Sequence, residues 1–417
     1  MKNSGIEWIG EIPDSWKLER LQWHMFEIKE QNTPVKTMQV LSLTNKLGVV
    51  PYEQKGEQGN KSKENYEEYK IAYPQTIVAN SMNILIGSVG ICNYLGCVSP
   101  VYYVFKPLEN ENIEYLNYVF QLTEFQKELR KYASGILEIR LRLAASDILK
   151  QEVAFPSKAE QKKIVEYLHQ KLSNVDKLIE VQQAQIDKLK EYKQSVITEA
   201  VTKGLDPTVP MKDSGVEWIG YVNASYKIQN IRSIFTIRKE IIGREPETVL
   251  SITQSGLKIK SIHENAGQMA DSYSNYQIVH VGDFAMNHMD LLTGGIGISQ
   301  FEGVTSPDYR VFELSQSNMC AKYFLYIFLA YYKNKIFYAF GQGAANLGRW
   351  RLPAQNFYSI YIPVPDGIEQ QQIADYLDDK CAKIDKLIAI KQAKIDKLQE
   401  YKKSLIYEYV TGKKEVV

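Results

Sequence analysis

The sequence predicts an α+β protein: two similar mixed α/β domains in tandem, each followed by a long helix. The two helices are expected to pair as an antiparallel coiled coil, giving a pseudo-two-fold dumbbell. Three observations carry this. The run EQKKIVEYL…VDKLIEVQQAQIDKLKEYKQS from Glu160 returns at Glu369 as EQQQIADYL…IDKLIAIKQAKIDKLQEYKKS, an offset of 369 − 160 = 209. The segment SGIEWIG at Ser4 to Gly10 returns as SGVEWIG at Ser214 to Gly220. Within each helical run, apolar residues step by four and three, the mark of a coiled-coil seam.

Bulk composition sets the class. A chain of 417 residues that is 44% hydrophobic has room for two or three ordinary cores. Charged residues make up 24% and nearly cancel, leaving a formal charge of +1. A polybasic protein is excluded, so any nucleic-acid binding must draw on local patches or on partner subunits. Cys92, Cys97, Cys320 and Cys381 match neither metal-ligand spacing nor a disulfide framework. They read as reduced thiols of a cytoplasmic protein. Met1 is followed by polar residues, and the most apolar run, Tyr323 to Tyr332, is too short to span a bilayer. No membrane partner is expected.

The elements repeat in order. Strand-like segments at Val40 to Thr44, Ile77 to Asn80 and Val101 to Phe105 are answered at Val249 to Thr253, Asp283 to Asn287 and Tyr309 to Phe312. A helix predicted over Ile113 to Lys131 has its counterpart over Asn318 to Tyr338. Gly87-x-x-Gly90 matches Gly294-x-x-Gly297, and Ser99-Pro100 matches Ser306-Pro307. Both halves therefore share a scaffold, expected to be a mixed sheet with flanking helices. Between these landmarks the halves differ: Lys55 to Glu68 has little in common with Asn265 to Asn275. One scaffold carrying two surfaces suits recognition of two different things.

Ser157-x-x-Glu160 and Asp366-x-x-Glu369 read as capping boxes that open the long helices, each after a proline (Pro156, Pro365). The first seam is Leu168, Leu172, Val175, Ile179, Ile186, Leu189 and Val196. The second is Leu377, Cys381, Ile384, Ile388, Ile395, Leu398 and Leu405. Polar breaks at Gln182 and Lys391, and at Lys193 and Lys402, read as register devices. Each helix of about 40 residues is roughly 60 Å long. The short Gly/Pro linker from Lys203 to Lys212 favours antiparallel pairing, since parallel helices would force it to double back along the whole rod. The expected division is a first domain at 1–158, the first helix at 159–203, a linker at 204–213, a second domain at 214–366, the second helix at 367–412 and a tail at 413–417.

Two unlike readers, inverted about a dyad at a fixed separation, match the symmetry of duplex DNA. Tandem divergent domains, each followed by a near-identical E-Q-x-x-I…Y-L…D-x-L-I helix, resemble the specificity subunit of a type I restriction–modification enzyme. The SG[IV]EWIG openings are similar to that family's domain starts, and the resemblance covers essentially the whole chain. It implies two target recognition domains that read a bipartite, asymmetric duplex, with the helices as a ruler. It also implies partners: two modification (methyltransferase) subunits that methylate adenine, and restriction/translocase subunits. The first half has Ile12-Pro13-x-x-Trp16 where the second reads Tyr221-Val-Asn-Ala-Ser-Tyr226, which leaves the packing of the second domain's start open.

The chain itself shows no methyltransferase N-P-P-[FY] or D-P-P-[FY], no glycine-rich cofactor turn and no Walker lysine loop. Gly341-Gln-Gly343 is a fragment before a non-helical stretch, and Asp366-Gly-Ile-Glu369 reads as a helix cap. No cofactor or metal is expected in this chain; S-adenosylmethionine, and ATP with Mg, would sit on the partners. Candidate DNA contacts follow from the side chains able to read base edges or grip phosphates. In the first domain they are Lys61, Lys63, Asn80, Asn83, Arg140 and Arg142. In the second they are Asn287, His288, Asn346, Arg349 and Arg351. Arg140-Leu-Arg142-Leu143 aligns with Arg349-Trp-Arg351-Leu352, and a pair that recurs in both halves suits the backbone better than the bases. The competing readings are a two-headed adaptor for protein or another polymer, and a self-sufficient nuclease or methyltransferase, which the missing motifs disfavour.

Overall fold

A β-branched run with every residue buried, Thr76–Asn80, can only be an inner strand, and it organises the first domain. The computed structural model describes residues 1–44, 48–55, 65–134, 141–260, 272–292, 294–343 and 350–416. They form two units, Met1–Gln183 with Ala393–Val417, and Ala184–Gln392. In the first unit a four-stranded sheet runs in the order Met25–Ile28, Tyr102–Pro107, Thr76–Asn80, Val89–Cys92. In the second the order is Phe235–Arg238, Arg310–Leu314, Phe284–Met286, Ile296–Ile298. Register repeats as well: Tyr103 lies opposite Ala79 and Arg310 opposite Met286, so both partners shift by 207 (310 − 103 and 286 − 79).

The sheets differ from the expected mixed pairing. All ladders between the described strands are antiparallel, the consecutive pairs Thr76–Asn80 with Val89–Cys92 and Phe284–Met286 with Ile296–Ile298 and the sequence-distant pairs alike. The parallel contribution is one isolated bridge in each unit, Val40 with Cys97 and Val249 with Val304. A hairpin lies against each sheet, Leu41–Thr44 with Gly48–Pro51 and Leu250–Thr253 with Gly256–Ile259. The repeated glycines permit that approach. A Cβ on Gly90 would sit 3.3 Å from Gly48 Cα, and one on Gly297 would sit 3.0 Å from Gly256 Cα.

Each helix predicted beside a sheet is two helices. Leu122 is extended (ψ 120°) between Ile113–Gln121 and Thr123–Arg130. Lys335 is left-handed (φ 58°) between Ala321–Lys333 and Ile336–Ala339. A break of one or two residues leaves the apolar periodicity almost intact, so the pattern did not expose either.

The long helices span Lys158–Lys203 and Gly367–Val410. Only half of each expected capping box forms. Ser157 Oγ accepts the Glu160 N–H at 3.3 Å, and Asp366 Oδ1 accepts that of Glu369 at 2.9 Å. The glutamates do not reach back to the cap. Glu160 accepts from Trp16 Nε1 at 3.0 Å and Glu369 from the Tyr226 hydroxyl at 2.8 Å. Trp16 and Tyr226 are both fully buried, so the divergent domain starts perform one task with different donors. Tyr226→Phe is expected to destabilise the second unit by about 1.5–3 kcal/mol, the range for losing a hydrogen bond to a charged group. An unchanged urea midpoint would contradict this.

Each unit contains an antiparallel stretch of the helix pair. In the first, the Tyr167 and Tyr409 rings are 4.6 Å apart and Lys402 binds Asp176. In the second, Lys193 Nζ lies 2.8 and 2.7 Å from the Asp385 carboxylate, and Lys391 donates to Gln185 at 2.6 Å. As residue numbers rise along one helix, those of their partners fall. Seam residues Leu168, Leu172, Val175, Ile395 and Leu405 are buried in the first unit, with Ile179 and Leu398 half-buried. Ile186, Val196, Leu377, Cys381 and Ile384 are buried in the second, with Leu189 and Ile388 half-buried. The polar breaks act as the register reading requires: Lys193 and Lys402 each meet an aspartate across the pair, and Gln182 is buried within it.

The helices also complete the cores. Tyr115 OH donates to the Ala154 carbonyl at 2.9 Å and the Val410 carbonyl at 3.1 Å. Tyr323 OH is shared between Pro363 at 3.0 Å and Val201 at 3.1 Å. In both units a buried tyrosine ties the domain to the last turn of the helix that does not leave from it. The left-handed glycine past each helix end, Gly204 (φ 79°) and Gly412 (φ 72°), closes against the same place. A Cβ on Gly204 would lie 2.7 Å from Tyr226 Oη, and one on Gly412 would lie 2.5 Å from Pro13 Cδ.

Candidate nucleic-acid interface

At the end of its inner strand each unit makes the same turn from an Asn-x-Met triplet. The Asn80 side-chain oxygen accepts the Met82 N–H at 3.0 Å, and that of Asn287 accepts the Met289 N–H at 3.1 Å. A second segment docks on the middle residue of the turn. The Leu143 N–H donates to the Ser81 carbonyl at 3.4 Å and the Leu352 N–H to that of His288 at 2.9 Å. The residue before each leucine is arginine, held by an isolated bridge: Arg142 with Ser134, Arg351 with Gln342. A side chain from the neighbouring strand fixes the leucine carbonyl, Tyr103 Oη at 2.8 Å in the first unit and Arg310 Nη2 at 2.7 Å in the second.

This geometry gathers six of the sequence candidates. Asn80, Asn83 and Arg142 meet around the first turn, and Asn287, His288 and Arg351 around the second. Asn83 and Arg142 are exposed, as is Arg351, whose guanidinium is 3.9 Å from Asp308. Asn80 is only 8% exposed, and its side-chain oxygen is taken up by the turn. Asn287 is half-buried, and its backbone carbonyl takes the Tyr332 hydroxyl at 2.6 Å. Lys61, Lys63, Arg140, Asn346 and Arg349 lie outside the described residues. Gly341 has a packing reason, since a Cβ there would strike the Trp350 indole nitrogen at 2.2 Å.

Tyr103 and Arg310 were not among the sequence candidates. Their signal was the alignment of VYYVF with YRVF, where the offset is 207 rather than 209. Arg310 is 5% exposed, 4.9 Å over the Phe357 ring, and its Nη1 is buried without a partner among the described residues. Burial pulls its pKa down to about 10. Burial, with the Arg310 and Arg351 charges, pulls His288 down to about 3. Since the unfolded chain binds that proton near pH 6.5, stability is full above it and is lost as pH falls towards 3. The thermal midpoint of His288→Ser is expected to fall less on acidification than that of the parent; parallel curves would contradict this.

Among the described residues no group of three or more His, Cys, Asp or Glu side chains could hold a metal ion, and no helix is long and apolar enough to cross a membrane.

The chain is thus two copies of one scaffold that differ at the turn and its flanking strand, each scaffold followed by a long helix. The comparisons give it a family. Residues 13–191 and 262–400 match the family described as Type I restriction modification DNA specificity domain, and the chain belongs to that family. The fold is shared with a chain from the structural study of "complex assembly and conformational transition of the type I R-M system". That chain is 10% identical, with a TM-score of 0.67, 96% of this chain covered and 98% of that one. The HsdS subunit from Thermoanaerobacter tengcongensis matches at 11% identity and a TM-score of 0.47, covering 96% and 98%.

Proposed function

We propose that each head reads one half of a bipartite, asymmetric duplex target and that the chain directs partner subunits to methylate adenine or to restrict there. One observation carries this reading: the same set of hydrogen bonds, side chain to backbone and backbone to backbone, presents Asn80-Ser81-Met82 with Tyr103 in one head, and Asn287-His288-Met289 with Arg310 in the other. A conserved frame with exchanged side chains suits two docking events of one geometry and two sequences. Arg142 and Arg351 recur in both heads, as phosphate contacts should, since phosphates position a reader without informing it.

In this reading the chain is non-catalytic and acts in the cytoplasm. Its partners are two modification subunits, which carry S-adenosylmethionine, and restriction/translocase subunits, which use ATP with Mg. The paired helices set the number of unread base pairs. Mapping modified adenines across a genome with and without this chain tests the reading. Loss of methylation at one bipartite motif is expected; an unchanged map would refute it.

A further inference from the structure

The two heads hold the same carbonyl with different chemistry, and the difference has consequences for recognition. Tyr103 and Arg310 occupy one register position, opposite Ala79 and Met286, and donate to Leu143 and Leu352 respectively. A neutral hydroxyl meets the structural need in the first head. The second head buries a guanidinium instead, with no carboxylate bound to it among the described residues and with Nη1 unpartnered. An unpaired buried charge is expensive, and the Phe357 face offsets only part of that. His288 Nδ1 is likewise buried and unpartnered among the described residues.

We propose that Arg310 is a positioning residue for the second head's DNA contacts: it ties Arg351 and Leu352 to the sheet and, through the Leu352 backbone, fixes His288 beside them. The inference rests on the DNA-reading function proposed above. Arg310 is too buried to reach a duplex itself, so it acts through its neighbours. The Leu352 carbonyl it holds belongs to the residue after Arg351, and the Leu352 N–H holds the His288 carbonyl. The charged and titratable groups around His288 are Arg310 on the strand, Arg351 on the docked segment, Asp290 on the same turn, Asp308 beside Arg351, and Tyr332 on the helix behind. Burial, with the Arg310 and Arg351 charges, holds the imidazole neutral (pKa about 3), and with Nδ1 buried it is Nε2 that is left for a base edge.

The first head supplies the decisive variant. Arg310→Tyr copies Tyr103, keeps a donor for the Leu352 carbonyl, and removes the charge. In the full chain assembled with its methyltransferase partners, R310Y is expected to bind the cognate duplex about tenfold more weakly. Discrimination should be lost at the second half-site alone. A merely structural Arg310 would leave R310Y with parental affinity and parental discrimination at both half-sites, which would overturn the inference. If R310Y does not fold, His288→Ser, the residue of the first head, is measured in its place. It should lose second half-site discrimination, and unchanged discrimination would overturn the inference. A parental complex that binds no duplex would overturn the functional reading as well, whereas parental binding with an indifferent R310Y sinks only Arg310.

Discussion

Leu377→Asp is expected to leave the second unit unfolded at ambient temperature. Leu377 is fully buried between the second domain and the helix pair, in a core shared with Val196, Ile197, Ala200, Val201, Ile373 and Cys381. Removing the side chain alone costs about 2–5 kcal/mol. Burying a carboxylate without a donor adds several more, which together match the roughly 5–15 kcal/mol stability of a typical domain. Its counterpart Leu168, 209 residues earlier, is equally buried in the first unit, so Leu168→Asp should have the same effect there. The measurement is circular dichroism with limited proteolysis of the full chain. The affected unit should be digested and the other protected; a protease-resistant chain that melts within a few degrees of the parent would contradict the packing. Leu189, half-buried at an equivalent seam depth, should tolerate the same change better.

Removing Arg142 and Arg351 together is expected to weaken duplex binding by about a hundredfold. Each is exposed and sits on a bridge repeated in both heads, and among the described residues the ion-pair partner of Arg351 is Asp308, at 3.9 Å. A surface pair of that kind contributes little, so the guanidinium is available to a phosphate. Each phosphate contact contributes about 0.9 to the slope of log affinity against log salt, so the R142A/R351A slope should be shallower by roughly 2. The two losses should add, because the arginines belong to different heads. Titration of the assembled complex across salt concentrations reads this directly. A hundredfold loss at unchanged slope would instead make them base readers, and no loss would remove them from the interface.

Much of the fold was legible because burial leaves a period. The seam residues of both helices could be read from four-three steps alone, and so could the polar breaks, but not their partners, Asp385 for Lys193 and Asp176 for Lys402. The duplication gave the correspondence of the halves, but with a fixed offset of 209 that drifts to 207 within the sheets. That drift is why Arg310 was not matched to Tyr103. A charged residue in a strand pattern also reads as surface, and nothing local shows that Phe357 and the Leu352 carbonyl enclose it. Asparagine after a strand suits a base reader and a turn former equally, and nothing local to Asn80 announces its bond to Met82. Glu160 and Glu369 fit the capping pattern, yet Trp16 and Tyr226 claim their carboxylates across more than a hundred residues of sequence. Long-range partners of that kind have no local signature.

The division of recognition between two heads is tested most directly by selecting duplexes from a randomised library with the assembled methyltransferase complex. Two short fixed tracts separated by freely varying base pairs are expected, with changes around His288 altering one tract and leaving the other intact. A single continuous tract, or one altered throughout by substitutions in a single head, would contradict it.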